Sequence, residues 1–194
     1  MEPWHRTSTK QLVKSPWLEV SRDSYVLPDG REVPEYYIVR RNDSAVCVCC
    51  IDDQLVLVRQ YRPGIQKVTL CHPGGRIEHD DRSPVHGALR ELLEETGLAP
   101  EEVQHIGTFA QIPAVETSRV HMFLVTCTRT RARATDADPR EYLAPMLLPI
   151  SELWAVMSTG EMDCLACAAA SYRVLLMKHA ALEGNRAAPG TNQA

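Results

Sequence analysis

Three glutamates near the middle of the chain have the residue type and spacing for metal-assisted chemistry. Glu91, Glu94 and Glu95 lie in the segment RELLEETGL, residues 90–98. On a helix, Glu91 and Glu95 are one turn apart and Glu94 lies beside them; such like-charged pairs cost about 0.2–0.5 kcal/mol each. A hard divalent cation would offset this repulsion, since magnesium combines one or two carboxylates with waters and phosphate oxygens. The cluster therefore predicts a metal site that acts on a phosphate compound.

The surrounding residues predict a helix over 84–96 that presents these carboxylates. Ser83 is a favourable N-cap, and Pro84 suits the first helical position, where its missing N–H would be unpaired anyway. Gly97 suits a left-handed C-terminal cap. The opposite side of the helix carries apolar residues at three- and four-residue spacing: Val85, Leu89, Leu92 and Leu93. An acidic outer face is commonly just solvated, so the helix alone does not establish a function.

The residues on both sides of this helix resemble the signature of the Nudix hydrolases. That signature is a glycine, a spacer, a glutamate, a second spacer and then Arg-Glu-apolar-x-Glu-Glu-x-Gly-apolar. Its second half is complete here: Arg90, Glu91, Leu92, Glu94, Glu95, Gly97 and Leu98. The resemblance implies that Glu91 and Glu95 are the principal metal ligands and that Glu94 is an additional ligand. It also implies a metal contact from the backbone carbonyl of Gly74 and a role for Gly75 in substrate binding.

The first half of the signature departs from the family pattern. Counted from Gly75, the glutamate position is Asp81; counted back from Arg90, it is Arg82. In the family this glutamate pairs with the arginine that Arg90 matches, so Arg90 is interpreted as a brace for the loop. Two alternatives remain. Either the loop has a one-residue insertion and Asp81 braces Arg90 with a shorter side chain, or Arg82 fills the position and the brace is lost.

The order of elements matches an α/β fold, the Nudix α/β/α sandwich with a mixed central sheet, plus a small N-terminal antiparallel sheet. Residues 1–44 are interpreted as a dimer-forming strand subdomain, 45–183 as the Nudix domain and 184–194 as a disordered tail. A polar connector is expected at 129–142. Helices are expected from Ser151 and over 163–182. The expected strands are 17–26, 33–41, 45–51, 55–60, 68–70, 103–111, 119–128 and 143–149.

Segments outside the signature narrow the resemblance to the ADP-ribose pyrophosphatase branch. They are LPDGREV, VLVRQYRPG and LLPISELWAVMSTGEM, and the likeness covers about residues 17–182. The branch implies hydrolysis of a nucleoside diphosphate derivative, with ADP-ribose giving AMP and ribose 5-phosphate as the best candidate reaction. It implies Mg²⁺ as the cofactor, with Mn²⁺ as an alternative, and a homodimer formed through the N-terminal strands. Arg62 matches an arginine that contacts the diphosphate.

Two further functions stay open. One is hydrolysis of a different nucleoside diphosphate sugar, and the other is a catalytically impaired nucleotide-binding or regulatory module. These functions stay open because the signature departs from the family pattern at Asp81 and Arg82, and because the general base has more than one candidate. Related pyrophosphatases carry a catalytic glutamate at the position of Ser118, and Glu116 is two residues away. Either Glu116 or a glutamate of the predicted helix is the base. Cys71 and His72 replace a Glu-apolar pair, and His72 is interpreted as an ordinary loop histidine.

Charge, apolar runs and cysteine spacing limit the partners and the cellular compartment that are expected for the protein. The net charge of -4 argues against a nucleic-acid partner. No apolar run reaches the length of a membrane span, and the N-terminus lacks the apolar segment of a secretory signal. The seven cysteines show no disulfide-framework spacing, which suits a reducing cytoplasm. Cys164 and Cys167 form a C-x-x-C without a second pair, and they are interpreted as small packing residues.

Overall fold

A small antiparallel sheet forms the N-terminal part of the computed structural model, which describes residues 1–131 and 142–187. Its strands are β1 (His5–Lys14), β2 (Glu19–Val26) and β3 (Glu32–Arg40), in the order β1-β2-β3. β2 and β3 were expected, whereas β1 was not. Every residue of β1 is exposed, so its sequence shows no alternation of apolar and polar residues that would mark a strand.

The second sheet is mixed, as the sequence predicted. Its strands are β4 (Ser44–Ile51), β5 (Gln54–Arg62), β6 (Lys67–Cys71), β7 (Leu98–Ala110), β8 (Arg119–Arg131) and β9 (Leu143–Pro149). The strand order is β6-β5-β4-β8-β7, with β9 paired to β5. β4 and β8 are parallel, and the other neighbours are antiparallel.

Helices cover both faces of this sheet. They are α1 (Pro84–Thr96), α2 (Leu153–Ser158) and α3 (Leu165–Ala187). β4 is buried on both sides: Ala45, Cys47, Cys49 and Ile51 pack with α1, whereas Val46, Val48 and Cys50 pack with α2 and α3. The two cores confirm the predicted α/β/α sandwich. The segment AVCVCCI, residues 45–51, is thus a buried strand whose cysteines pack as small hydrophobes.

α1 has the predicted bounds and caps. The Ser83 hydroxyl accepts a hydrogen bond from the His86 N–H, and Gly97 has a φ of 69°, the left-handed conformation that suits glycine. The helix expected from Ser151 begins as a 3-10 turn over Ile150–Glu152 and becomes α-helical at Leu153. The caps at Ser83 and Gly97 fix the ends of α1 and therefore the positions of its carboxylates.

The C-terminal boundary differs from the expectation. α3 continues to Ala187, past residue 182, where the helix was expected to end, and past residue 184, where the tail was expected to begin. Residues 188–194, the rest of the expected tail, lie outside the described residues. The same holds for 132–141, most of the expected connector, while β8 extends to Arg131. Among the helices in the described ranges, none combines the length and apolar character needed to cross a membrane.

Candidate active site

A glycine loop, residues 73–75, runs beside the first residues of β4. The Ala45 N–H donates to the Gly75 carbonyl and the Cys47 N–H donates to the Pro73 carbonyl, both at 2.8 Å. Gly74 has a φ of 150°, and a Cβ there would lie 2.2 Å from the Ala45 carbonyl oxygen. This position therefore requires glycine, and the loop is held at a fixed distance from the sheet.

Two of the three predicted carboxylates approach this loop. The Gly74 N–H donates to Glu95 Oε2 at 2.9 Å, and Glu95 is buried. At Gly75, a Cβ would lie 2.5 Å from Glu91 Oε1. The absence of a side chain at Gly75 thus creates the space in which the Glu91 carboxylate sits, and α1 is joined to the loop through its acidic side.

Arg90 is the centre of an ion-pair network on α1. Its guanidinium lies 2.9 Å from Glu94 Oε2 and 3.2 Å from Glu91 Oε1, and it donates to the Arg76 carbonyl at 3.1 Å. It also donates two hydrogen bonds to the Asp81 carboxylate, at 3.1 and 3.2 Å. Of the two alternatives for the brace, the structure shows the first: Asp81 pairs with Arg90, whereas Arg82 is exposed.

Asp81 is held as a carboxylate by four N–H groups on three residues, two of these groups being on Arg90. Besides Arg90, the Glu78 N–H donates to it at 2.8 Å, and His86 Nδ1 lies 3.0 Å from Oδ1. Burial raises the pKa of this carboxyl, but the hydrogen bonds from Arg90, Glu78 and His86 outweigh burial and lower the pKa to about 2. Asp81 is therefore ionised at neutral pH and balances the charge of Arg90.

Gly87 gives Asp81 the room for this contact. A Cβ at Gly87 would lie 2.7 Å from Asp81 Oδ2. A glycine inside a helix costs about 1 kcal/mol relative to alanine, so its presence in α1 was a signal that sequence reasoning missed. Asp81 is shorter than the glutamate of the family pattern. It still reaches Arg90, because Gly87 has no side chain between Asp81 and the helix.

The donor set fits a hard cation such as magnesium. Carboxylate oxygens are its preferred protein ligands, and Gly75 leaves a cradle at Glu91 that a Cβ would fill. Within the described part of the chain, the three glutamates do not bring one oxygen each within 4.8 Å of one another. Full convergence is unnecessary, since magnesium uses one or two carboxylates and takes its other ligands from water and phosphate. A carboxylate paired to Arg90 through one oxygen can still offer the other.

The Glu116 carboxylate contacts residues that lie outside α1. The Arg41 guanidinium donates to its Oε1 at 2.6 Å, and the Ser118 hydroxyl donates to the same oxygen. The hydrogen bond from Arg41 is the main reason that the pKa of Glu116 is lowered, and the hydrogen bond from Ser118 adds to the effect, although burial opposes both. Ser118 thus positions a neighbouring carboxylate. A carboxylate stabilised in this way is a weak base.

Arg62 and His72 lie on the α3 side of the loop. Arg62, at the end of β5, hydrogen-bonds the Cys71 sulfur. His72 is buried, its Nε2 lies 2.7 Å from Ser171 Oγ on α3, and its Nδ1 has no hydrogen-bond partner. Burial lowers the pKa of His72 to about 4, so the ring is neutral at pH 7. These contacts agree with a structural role for His72.

Two sequence families match this chain and together cover most of it. The NUDIX domain matches residues 41–165. This chain belongs to the Nudix family. The Nucleoside diphosphate sugar hydrolase N-terminal domain matches residues 4–39, the segment that contains β1, β2 and most of β3. The predicted resemblance is confirmed, and this Nudix chain is a pyrophosphohydrolase of that family.

Several characterised proteins are similar to this Nudix chain. The methanol dehydrogenase activator of Bacillus methanolicus is 27% identical over 74% of this chain and 77% of its own length. The ADP-ribose pyrophosphatase of Bacillus subtilis is 23% identical over 78% and 82%, and the ADP-sugar pyrophosphatase of Mus musculus is 27% identical over 76% and 74%. The crystal structure of an ADP compounds hydrolase matches with a TM-score of 0.77 at 18% identity, over 95% of this chain and 97% of that one. The last comparison confirms the fold.

Proposed function

We propose that this Nudix hydrolase cleaves the diphosphate of ADP-ribose and releases AMP and ribose 5-phosphate. The observation that carries the proposal is the joining of α1 to the glycine loop, through Gly74–Glu95 and Gly75–Glu91. The N-terminal match to nucleoside diphosphate sugar hydrolases supports a substrate in which a sugar is linked to a nucleoside diphosphate. The names of the Bacillus subtilis and mouse relatives support an adenine nucleotide.

Mg²⁺, with Mn²⁺ as a substitute, is the proposed cofactor. Glu91 and Glu95 would be its main ligands, with Glu94 and the Gly74 carbonyl as further ligands. When bound, the cation would neutralise the diphosphate charge and lower the pKa of a bound water. The chain's own part is to fix the ligands: the Gly74 N–H orients Glu95, and Arg90 holds Glu94 and Glu91.

A glutamate of α1 is the better candidate for the general base. The pKa of Glu116 is lowered, chiefly by the hydrogen bond from Arg41, so this carboxylate takes up a proton less readily than an ordinary glutamate. Its contacts support a role in shaping the loop over 112–118. Glu116→Gln is therefore expected to keep most of the turnover. A loss of turnover as large as that of an α1 glutamate variant would instead identify Glu116 as the general base.

Arg62 is the proposed contact for the substrate diphosphate. Its guanidinium hydrogen-bonds Cys71, which lies shortly before Gly74 along the chain, so its charge is close to the glycine loop. The fixed charge would offset phosphate negative charge without supplying a metal ligand. A loss of ground-state binding predicts that Arg62→Ala raises KM more than it lowers kcat. An unchanged KM in steady-state assays would remove Arg62 from the substrate site.

A homodimer formed through the N-terminal sheet is also proposed. β1 is exposed along its length, and large apolar side chains of the sheet and of the residue before β1 are exposed to solvent: Trp4, Leu12, Val13 and Tyr37. Exposed apolar surface of this kind commonly marks a protein interface. On one side the sheet is already tied to the Nudix domain, through Arg76 stacked on the Trp17 ring at 4.3 Å and the Tyr36 hydroxyl bonded to the Ala114 carbonyl at 2.8 Å.

A substrate panel tests the proposed reaction. The purified protein is incubated with Mg²⁺, with Mn²⁺ or with a chelator, and with ADP-ribose, ADP-glucose, GDP-mannose or UDP-glucose, and the products are separated by chromatography. The expected result is AMP and ribose 5-phosphate from ADP-ribose, and no product with the chelator. Cleavage of another nucleoside diphosphate sugar in preference to ADP-ribose would correct the substrate. Binding of ADP-ribose without any product would contradict the proposed activity.

A further inference from the structure

Three cysteines from two parts of the chain meet at one end of α3. Cys71 is the last residue of β6, Cys164 directly precedes α3, and Cys167 lies in the first turn of that helix. Their sulfur atoms all lie within 4.8 Å of one another. The C-x-x-C at 164–167 therefore has a third thiol beside it, which its sequence environment did not reveal.

The start of α3 favours the thiolate form of Cys164. Cys164 directly precedes α3, at the end where the first backbone N–H groups have no carbonyl partner within the helix. The Ala168 N–H donates to the Cys164 carbonyl at 2.9 Å, which places Cys164 at the N-cap. Sulfur at this position faces the positive end of the helix dipole, and thiolate is the form of cysteine that binds metal.

A nearby cation offsets the charge of the cluster. Three thiolates around a divalent ion carry a net charge of −1, and the guanidinium of Arg62 hydrogen-bonds the Cys71 sulfur. Arg62 also interacts electrostatically with Cys164 and Cys167. The desolvation cost of a buried charged site falls when such a partner lies in contact with it.

We propose that Cys71, Cys164 and Cys167 form a thiolate site for a soft divalent metal ion of the zinc class. Zinc bonds thiolate sulfur at about 2.3 Å in tetrahedral geometry, which puts the sulfurs about 3.8 Å apart. The observed clustering within 4.8 Å admits that spacing with side-chain adjustments only. Cys71 and Cys167 are buried and Cys164 is half-buried, so the ion reaches the site past Cys164, where a water can complete the coordination.

This site is chemically distinct from the carboxylates of α1. Thiolates select soft ions such as zinc, whereas carboxylate and carbonyl oxygens suit magnesium and manganese. The two sites are therefore expected to load independently, and a thiolate-specific signal can be read without any measurement of hydrolysis.

Cobalt spectroscopy tests the proposal. The full-length, fully reduced protein is titrated with Co²⁺ in anaerobic, thiol-free buffer, and the near-ultraviolet sulfur-to-cobalt charge-transfer band is followed. The expected result is saturation at one Co²⁺ per chain and loss of the band when one equivalent of Zn²⁺ is added. Cys71→Ser, Cys164→Ser and Cys167→Ser are each expected to lose most of the band.

Matched controls separate this site from other thiols and from the α1 carboxylates. Cys49 and Cys127, whose sulfurs are 3.1 Å apart on the other face of the sheet, provide one control, and Cys127→Ala should leave the band intact. Glu95→Gln should leave it intact as well. Cys164→Ser is the decisive variant, because serine is itself a good N-cap and the residue is only half-buried. Absence of the band in the reduced wild type, or its survival in Cys164→Ser, would overturn the proposal.

Discussion

At the scale of single residues, Asp81 determines how the charges of α1 are arranged. Its carboxylate fixes Arg90, and Arg90 in turn holds Glu91 and Glu94. The sequence predicted the members of this group and left two candidates for the brace. Spacing alone could not choose between them, because the choice depends on the path of the loop and on how Asp81 packs against Gly87.

Gly87→Ala is predicted to destabilise the protein. In an ordinary exposed helix this change stabilises by about 1 kcal/mol, but here the new Cβ would meet a carboxylate that four donors hold in place. Overpacking of this kind costs about 1–3 kcal/mol, so a net loss of up to about 2 kcal/mol is expected in urea unfolding. Gly64→Ala is the control, since a Cβ added at Gly64 would meet no atom within 4 Å. A more stable Gly87→Ala would contradict the assigned packing.

Asp81 also predicts an acid dependence of stability. Its ordinary pKa of 3.8 is lowered to about 2 in the folded state, so the unfolded state takes up the proton first. The stabilisation is fully present above about pH 4 and is lost as the pH falls towards 2. Chemical unfolding at pH 5, 4, 3 and 2 should show a shallower decline for Asp81→Asn than for the wild type. Asp80→Asn, at a fully exposed neighbour, should follow the wild type; equal slopes for all three proteins would contradict the assignment.

At the scale of elements, burial decided which parts could be predicted. α1 has a capping serine, a proline at its start, an apolar stripe and a terminal glycine, and each signal acts within a few residues. β4 shows a continuous apolar run because both its faces are covered. β1 has neither signal, since all its residues are exposed, and its strand state depends on pairing with β2.

The N-cap of α1 yields a prediction about stability. Ser83→Ala removes the acceptor for the His86 N–H and should lower the free energy of unfolding by about 1 kcal/mol. Ser83→Asp keeps an acceptor and a favourable charge at the helix start, so it should restore most of the loss. Urea unfolding of the three proteins provides the measurement. Equal stability of Ser83→Ala and wild type would show that the cap contributes nothing here.

At the scale of the whole molecule, the sandwich brings together residues that are far apart in sequence. The glycine loop meets α1, and β6 meets the start of α3. The first meeting was predictable from a compact motif. The second was not, because Cys71 and the C-x-x-C belong to different elements and only the folded sheet places them side by side. Similarly, the sequence named Glu116 as a candidate base, and only the fold shows its ion pair with Arg41.

The proposed dimer predicts the mass of the native particle. Light scattering coupled to size-exclusion chromatography should give twice the chain mass of 21.7 kDa. Leu12→Glu combined with Val13→Glu places charges on exposed apolar positions of β1 and should yield the monomer mass with unchanged secondary structure. A monomeric wild type would contradict the proposal, as would a double variant that remains a dimer.

Glu95→Gln tests whether the carboxylates of α1 support metal-dependent hydrolysis. This variant keeps an acceptor for the Gly74 N–H but removes a charged ligand, so kcat/KM for ADP-ribose with Mg²⁺ should fall about 100-fold or more while the thermal unfolding curve is retained. Glu102→Gln makes the same change at an exposed position on β7 and should retain full activity. Full activity in Glu95→Gln would show that Glu95 is not a ligand of the metal used in hydrolysis.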